Sequence, residues 1–250
     1  MTLSSPSPAA FELVSHIAAA HARLAEHPLA HAEAGLGGRL FYAGALDDSG
    51  CVWLAAANIA GAASLAATAD PAAQKQALRN GAADFLVASL DEALRILKNQ
   101  LRKREPAAVC AGLSTDLVEA EMRERGVVAD LTRAGLESQT APHGAPEYLT
   151  WTVAAAPARW LPMMDALALD CLNPQDDQFA AARRWLKLAP RFLPRPAANL
   201  RLLICGRTFA DRFIARLRDQ IERGQIPVAV DLHSHFGGQS DAFNFTPRPC

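Results

Sequence analysis

The sequence predicts an α/β fold in which helices cover both faces of a parallel sheet. Two observations indicate it: short apolar runs alternate with helix-forming runs, and the connections between them are short. Strands joined through a helix run parallel and cross over in a right-handed sense. Half of the 250 residues are hydrophobic, so the chain can bury a sizeable core.

An N-terminal helical segment is expected over residues 1–37. Apolar residues recur there at three- and four-residue spacing from Phe11 to Leu24, which predicts a helix over 11–26. The glycines at 35, 37 and 38 end this segment.

A single Rossmann-type α/β domain is expected over residues 38–250. Its central strands are predicted at 39–46, 64–69, 84–88, 107–111 and 127–131. The helices between them are predicted at 52–63, 72–80, 90–103 and from Ser114 or Thr115 to near Gly126. Gly81 closes the second of these helices, and Ser89 with Glu92 forms a capping box at the third.

The region 137–199 is expected to be a less regular helical insert, with a helix over 179–188. The strand-helix-strand pattern then resumes at 200–205, 209–223 and 227–232. The same parallel sheet could accept both of these last strands within the single domain expected over 38–250.

Charge and cysteine usage exclude several classes of function. The net charge of −1, with both signs mixed, argues against a nucleic-acid or anionic-membrane partner. No uncharged apolar run reaches membrane-spanning length, and we expect neither a signal peptide nor a transmembrane helix. The five cysteines form no CxxC pair, which argues against a structural zinc site, and their scatter suits the reducing cytoplasm. His233 and His235 face one way on a strand, but without a further assignable ligand no metal is expected.

Ligands of parallel sheets bind beyond the carboxyl ends of the strands. Gly44 lies in the first such turn, where glycine lets the backbone approach a pyrophosphate. Asp47 and Asp48 share that turn and would repel a pyrophosphate, which favours an ordinary turn. Asp70 ends the second strand; it either binds an adenine ribose or caps the next helix.

A polar loop follows the last central strand. Its hydrogen-bonding residues, and the tyrosine after it, are Gln139, Thr140, His143 and Tyr148. The loop leaves the carboxyl edge of the sheet, so these residues are candidates for ligand contacts. Taken alone, a single loop histidine is more simply explained as solvated.

These segments resemble the NAD-binding, Rossmann-like domain of the urocanase (urocanate hydratase) family. Residues 38–44 resemble its first strand, 54–65 its next helix and strand, and 89–96 and 119–126 parts of later helices. The most specific match is 139–143, which has the form of the family's QTSAH loop, followed by Tyr148-Leu149 for its "YL". The resemblance implies an NAD site at Gly44, Asp70, Ser114, Gln139, Thr140, His143 and Tyr148.

Two departures bear on chemistry, and they leave the catalytic residues unassigned. The family's glycine-rich loop is here Leu46-Asp47-Asp48-Ser49-Gly50. The family's catalytic cysteine shortly precedes an Arg-Trp pair, whereas Arg159-Trp160 has no cysteine before it back to Cys110. The resemblance thus implies a short, divergent member of the family.

Three functions remain open at this stage. The first, which we favour, is a protein that binds a small molecule or nucleotide and lacks full urocanate hydratase chemistry. The second is an active NAD-dependent hydro-lyase of histidine metabolism, acting on urocanate or a related substrate. The third is a non-catalytic regulatory or subunit-interaction protein; a homodimer is compatible with the sequence.

Overall fold

A computed structural model describes residues 7–138, 146–176 and 178–247. The described chain forms two compact units. The parallel-sheet unit comprises residues 19–138 and 191–195. The antiparallel-sheet unit comprises the remaining described residues.

The parallel-sheet unit is built on five strands. They are β1 (Leu40–Ala45), β2 (Ala63–Ala67), β3 (Phe85–Val87), β4 (Ala107–Ala111) and β5 (Leu131–Thr132). Their order is β3-β4-β2-β1-β5, and every pairing is parallel. The predicted α/β, Rossmann-like class with a parallel sheet is therefore confirmed.

Helix α1 (Pro8–Ala25) is divided between the two units after Ala18. The helices that accompany the five parallel strands are α2 (Asp48–Ile59), α3 (Pro71–Asn80), α4 (Leu90–Lys103), α5 (Thr115–Glu124) and α6 (Arg133–Glu137). Buried residues of α4 and α5 pack with Leu40 and Tyr42 on one sheet face. Phe41 points to the opposite face, where its ring stacks on Trp53 of α2 at 6.2 Å. Helices therefore cover both faces, as the alternation predicts.

Helix α2 begins four residues before the predicted helix. Asp47 is its N-cap and accepts a hydrogen bond from the Gly50 backbone N–H at 2.6 Å. The segment interpreted as a turn is thus the first turn of the helix. Gly50 is required there, because a Cβ would lie 2.0 Å from the carbonyl oxygen of Ala45.

The antiparallel-sheet unit contains β6 (Tyr148–Val153), β7 (Arg201–Ile204), β8 (Val230–Phe236) and β9 (Gln239–Phe245), in the order β7-β6-β8-β9. The remaining helices are α7 (Pro157–Cys171), α8 (Phe179–Phe192) and α9 (Arg207–Glu222). The expectation that the strands near 200–232 join the parallel sheet is wrong. They lie in this second sheet, and no described strand beyond β5 pairs with the first.

The pairing of β6 explains why the strands near 200–232 do not join the parallel sheet. It runs antiparallel to both β7 and β8, so these two strands are parallel to each other with β6 between them. The segment β7-α9-β8 is therefore a split β-α-β unit. Its strand-helix-strand pattern is identical to that of a crossover between adjacent strands, so sequence alone does not separate the two.

A buried ion pair ties α7 to β7 in the antiparallel-sheet unit. Arg201 Nε donates to both carboxylate oxygens of Asp165, at 3.0 and 2.9 Å, and both side chains are 7% exposed. Arg201 Nη1 also donates to the Ala198 carbonyl at 2.7 Å. Each charge depends on its partner, because an unpaired charge in the interior is costly.

The tight β1–α2 connection gives a first prediction. Gly50→Ala should lower the free energy of unfolding by about 3 kcal/mol, since the new methyl overlaps backbone. Gly81→Ala is the control: its φ is +74° but nothing lies within 4 Å of the new Cβ, so a loss of about 1 kcal/mol is expected. Urea denaturation followed by circular dichroism measures both, and equal losses would contradict the close approach.

The ion pair gives a second prediction. Asp165→Asn should destabilise the protein by roughly 3–5 kcal/mol, because it leaves the Arg201 guanidinium buried without a counter-charge. The double variant Asp165→Leu/Arg201→Met should recover most of that loss, since both charges are removed. Thermal unfolding compares the wild type with the two variants. If Asp165→Asn were as stable as the wild type, the ion pair would not be needed for stability.

Candidate functional site

A groove of about 700 Å³ opens at the carboxyl edge of the parallel sheet. It starts at the carboxyl end of β1, follows α5 and is closed by the segment leading into β5 and α6. Its apolar lining includes Met122, Val127 and Val128, and its polar lining includes Tyr42, Thr115, Glu119, Arg123, Thr132 and Arg133. Apolar walls with a few convergent polar groups are typical of small-molecule sites.

Gly44 and Arg133 meet at the mouth of the groove. Gly44 has a φ of +72°, a conformation that favours glycine, at an irregularity in the pairing of β1 with β2. A Cβ on Gly44 would lie 3.7 Å from Arg133 Nη2. The guanidinium therefore lies beside the half-buried end of β1, because α6 starts directly where β5 ends.

Tyr42 and Glu119 form a polar pair on one wall. The Tyr42 hydroxyl donates to Glu119 Oε1 at 3.3 Å. Burial, and then the Glu119 carboxylate, raise the pKa of Tyr42 well above its usual range. The hydroxyl therefore stays protonated and orients the carboxylate, which is exposed on α5.

The first turn of α2 carries a carboxylate at its N-terminus. Asp47 Oδ1 accepts hydrogen bonds from Gly50 N–H and from Arg133 Nη1, both at 2.6 Å. Partial burial opposes ionisation, but the Gly50 N–H and the Arg133 guanidinium outweigh it and lower the pKa of Asp47. The carboxylate is therefore a stable anion where the helix dipole is positive.

These residues can be compared with the NAD that the resemblance implies. A dinucleotide-binding domain receives the pyrophosphate at the N-terminus of the first crossover helix. Here Asp47 already takes the Gly50 N–H, and Asp48 adds a second acidic residue to the same turn. The residues at this helix terminus therefore do not fit a pyrophosphate.

Helix α6 is fastened to α2 by a second set of contacts. Glu137 Oε1 accepts hydrogen bonds from Ser49 Oγ at 3.0 Å and from Trp53 Nε1 at 2.9 Å. The Arg23 guanidinium donates to the Leu136 carbonyl and lies 5.7 Å from the Trp53 ring. These contacts hold the C-terminal end of α6 against α2.

The structure brings some of the predicted site residues together and separates others. Gly44 lines the groove, and Ser114 caps α5 immediately before the lining residue Thr115. Asp70 caps α3 by accepting the Ala72 N–H at 2.8 Å and does not line the groove. Tyr148 belongs to the antiparallel-sheet unit, where its ring stacks on His235 at 5.3 Å.

Three predicted residues, Gln139, Thr140 and His143, lie outside the described residues. Sequence reasoning missed the groove residues Tyr42, Glu119 and Arg133. For Arg133 a signal existed, because a basic residue at the carboxyl end of the last predicted strand lies at the ligand edge. For the other two none existed, since Tyr42 and Glu119 meet only through packing of α5 on β1.

Metal ligation and membrane insertion have no support in the structure's described part. Within residues 7–138, 146–176 and 178–247, no three His, Cys, Asp or Glu side chains are placed to hold a metal ion. In the same ranges, no helix combines the length and the apolar character needed to cross a bilayer.

The described cysteines are poor nucleophiles. Burial, and then the carboxylates of Asp48 and Asp47, raise the pKa of Cys51 to about 11. Burial also raises the pKa of Cys110 to about 11 and that of Cys205 to about 12. For Cys171 burial outweighs two nearby arginines and again raises the pKa. Each of these thiols is therefore protonated at neutral pH.

Cys51 provides a test of this electrostatic environment. Its alkylation by iodoacetamide should keep accelerating as the pH rises toward 11, because only the thiolate reacts. Asp48→Asn should raise the rate at pH 8 about threefold by removing a nearby negative charge. Asp116→Asn, in the first turn of α5, is the matched control. Peptide mapping by mass spectrometry reads the rate, and fast alkylation of Cys51 at pH 7 would contradict the account.

Comparison with known proteins places the parallel-sheet unit in a family. No curated protein matches the chain. A family profile described as the urocanase Rossmann-like domain matches residues 18–158, which is more than half of the chain. The matched segment contains all five strands of the parallel sheet and the lining of the groove. The chain belongs to the urocanase family.

Proposed function

We propose that this protein is a small-molecule-binding member of the urocanase family that does not hydrate urocanate. The observation that carries the proposal is the groove at the carboxyl edge of the parallel sheet. It keeps the position at which such sheets bind ligands, while Asp47 fills the helix terminus beside it. The protein thus retains a binding site of the family's fold without the usual phosphate site.

The lining of the groove suggests the class of ligand. Met122, Val127 and Val128 offer an apolar wall, against which a planar or aromatic group can pack. Glu119 and Arg123 place opposite charges along the same groove, so the ligand carries polar groups of its own. A nucleoside-like molecule or an aromatic acid has these properties.

The thiols support the absence of hydration chemistry. The family resemblance implies a catalytic cysteine before an Arg-Trp pair, and Arg159-Trp160 lacks one in the preceding stretch. The thiols of Cys51, Cys110, Cys171 and Cys205 have raised pKa values, so none of these four replaces an activated thiolate. The free state of these cysteines supports our proposal of a cytoplasmic location.

If the protein does not hydrate urocanate, an absorbance assay shows it directly. Purified protein incubated with urocanate should leave the ultraviolet absorbance of urocanate unchanged, with or without added NAD. A urocanase assayed in parallel verifies the conditions. Loss of absorbance that depends on this protein and on NAD would contradict the proposal and favour an active hydro-lyase.

A pair of tryptophan variants tests binding in the groove. Ala134→Trp should weaken binding of adenosine or benzoate at least about tenfold, because Ala134 lines the groove and the indole fills it. Ala72→Trp is the matched control, since Ala72 holds the same second position in α3 as Ala134 does in α6. Isothermal calorimetry measures both; equal weakening by the two variants would remove the groove from the site.

A further inference from the structure

The N-terminus of α2 holds an anion that the chain itself supplies. One oxygen of Asp47 accepts both the Gly50 N–H and the Arg133 guanidinium, each at 2.6 Å. A helix N-terminus beside an arginine is the arrangement that proteins use to hold phosphate oxygens. In this chain an internal carboxylate takes both of those donors.

The surrounding geometry disfavours binding of a phosphate at the N-terminus of α2 beside Asp47. The missing side chain of Gly50 makes room for the Ala45 carbonyl, not for a ligand, because a Cβ would lie 2.0 Å from that oxygen. The Asp47 carboxylate would also repel a second anion placed at the same N–H group.

We propose that Asp47 is a specificity-determining residue, a built-in anion that closes this edge of the sheet to pyrophosphate. The groove therefore selects ligands that present no pyrophosphate to the N-terminus of α2. The same carboxylate pairs with the Arg133 guanidinium, so Arg133 does not bind a ligand phosphate. This inference rests on the proposed function for the location of the ligand edge, and it narrows the ligand class.

The decisive variant removes the charge and keeps the helix cap. Asp47→Ser retains an N-cap side chain that can accept the Gly50 N–H, while it releases Arg133. The Asp47 side chain is 55% exposed, so its replacement leaves no buried hole. Wild-type protein should show no heat of binding with inorganic pyrophosphate. Asp47→Ser should bind it at least about tenfold more tightly than the weakest affinity that the titration detects, and NAD should follow the same order.

Three control proteins make the outcome unambiguous. Asp70→Ser replaces an equivalent N-cap on α3 and should gain nothing. Asp47→Asn, which also keeps a cap, should gain as Asp47→Ser does, so a folding defect in one variant does not decide the result. Adding Arg133→Gln to Asp47→Ser should abolish the gain. Melting temperatures verify that each variant is folded.

Several results would overturn the inference. One is a wild-type protein that binds pyrophosphate or NAD as tightly as the Asp47 variants do. Another is that the Asp47 variants gain no affinity. A gain of equal size in Asp70→Ser, or one that survives loss of Arg133, would show that Asp47 is not the determinant. None of these results bears on urocanate absorbance or on the Ala134 comparison, so failure here is distinguishable from failure of the proposed function.

Discussion

The carboxylate of Asp47 connects three elements at the carboxyl edge of the parallel sheet. It caps the first turn of α2 and pairs with Arg133 at the start of α6. The Arg133 guanidinium in turn lies close to Gly44 of β1. The turn in which it sits is tight enough to require glycine at position 50. The mouth of the groove, which Gly44 and Arg133 line, depends on this one arrangement.

The same arrangement links stability to ligand choice. A helix N-terminus needs its N–H groups satisfied by a side chain, water or ligand. Where a ligand does this, the helix terminus remains a binding site. Where a side chain does it, as Asp47 does here, the helix gains stability without a ligand and the terminus is closed to other anions. The groove along α5, beside this helix terminus, is then the space that the proposed ligand occupies.

Packing sets the chemistry of that groove. Tyr42 lies on the strand, Glu119 on α5 and Arg133 on α6, and each reaches the groove because helices cover the sheet on that side. The buried alanines of α2 serve the opposite face, where Phe41 and Trp53 stack. Both faces of the sheet therefore carry a packed core, and the groove with its apolar and charged lining opens at the carboxyl edge on the face that α5 covers.

By itself, the sequence determined the elements whose signals are local. The strand at 107–111, the caps Ser89 and Ser114, and the left-handed stop at Gly81 follow from neighbouring residues, so they were predictable. The position of Gly44 near the carboxyl end of the first strand was also predictable, while its role in binding stays a prediction. Only the tertiary structure decided where the later strands pair and which side chains converge. Asp47 and Arg133 are 86 residues apart, and Tyr42 and Glu119 are 77 apart. A single sequence does not show which residues meet across such separations. The packing of α5 and α6 brings these side chains together, and the pairing of β6 sets the second sheet.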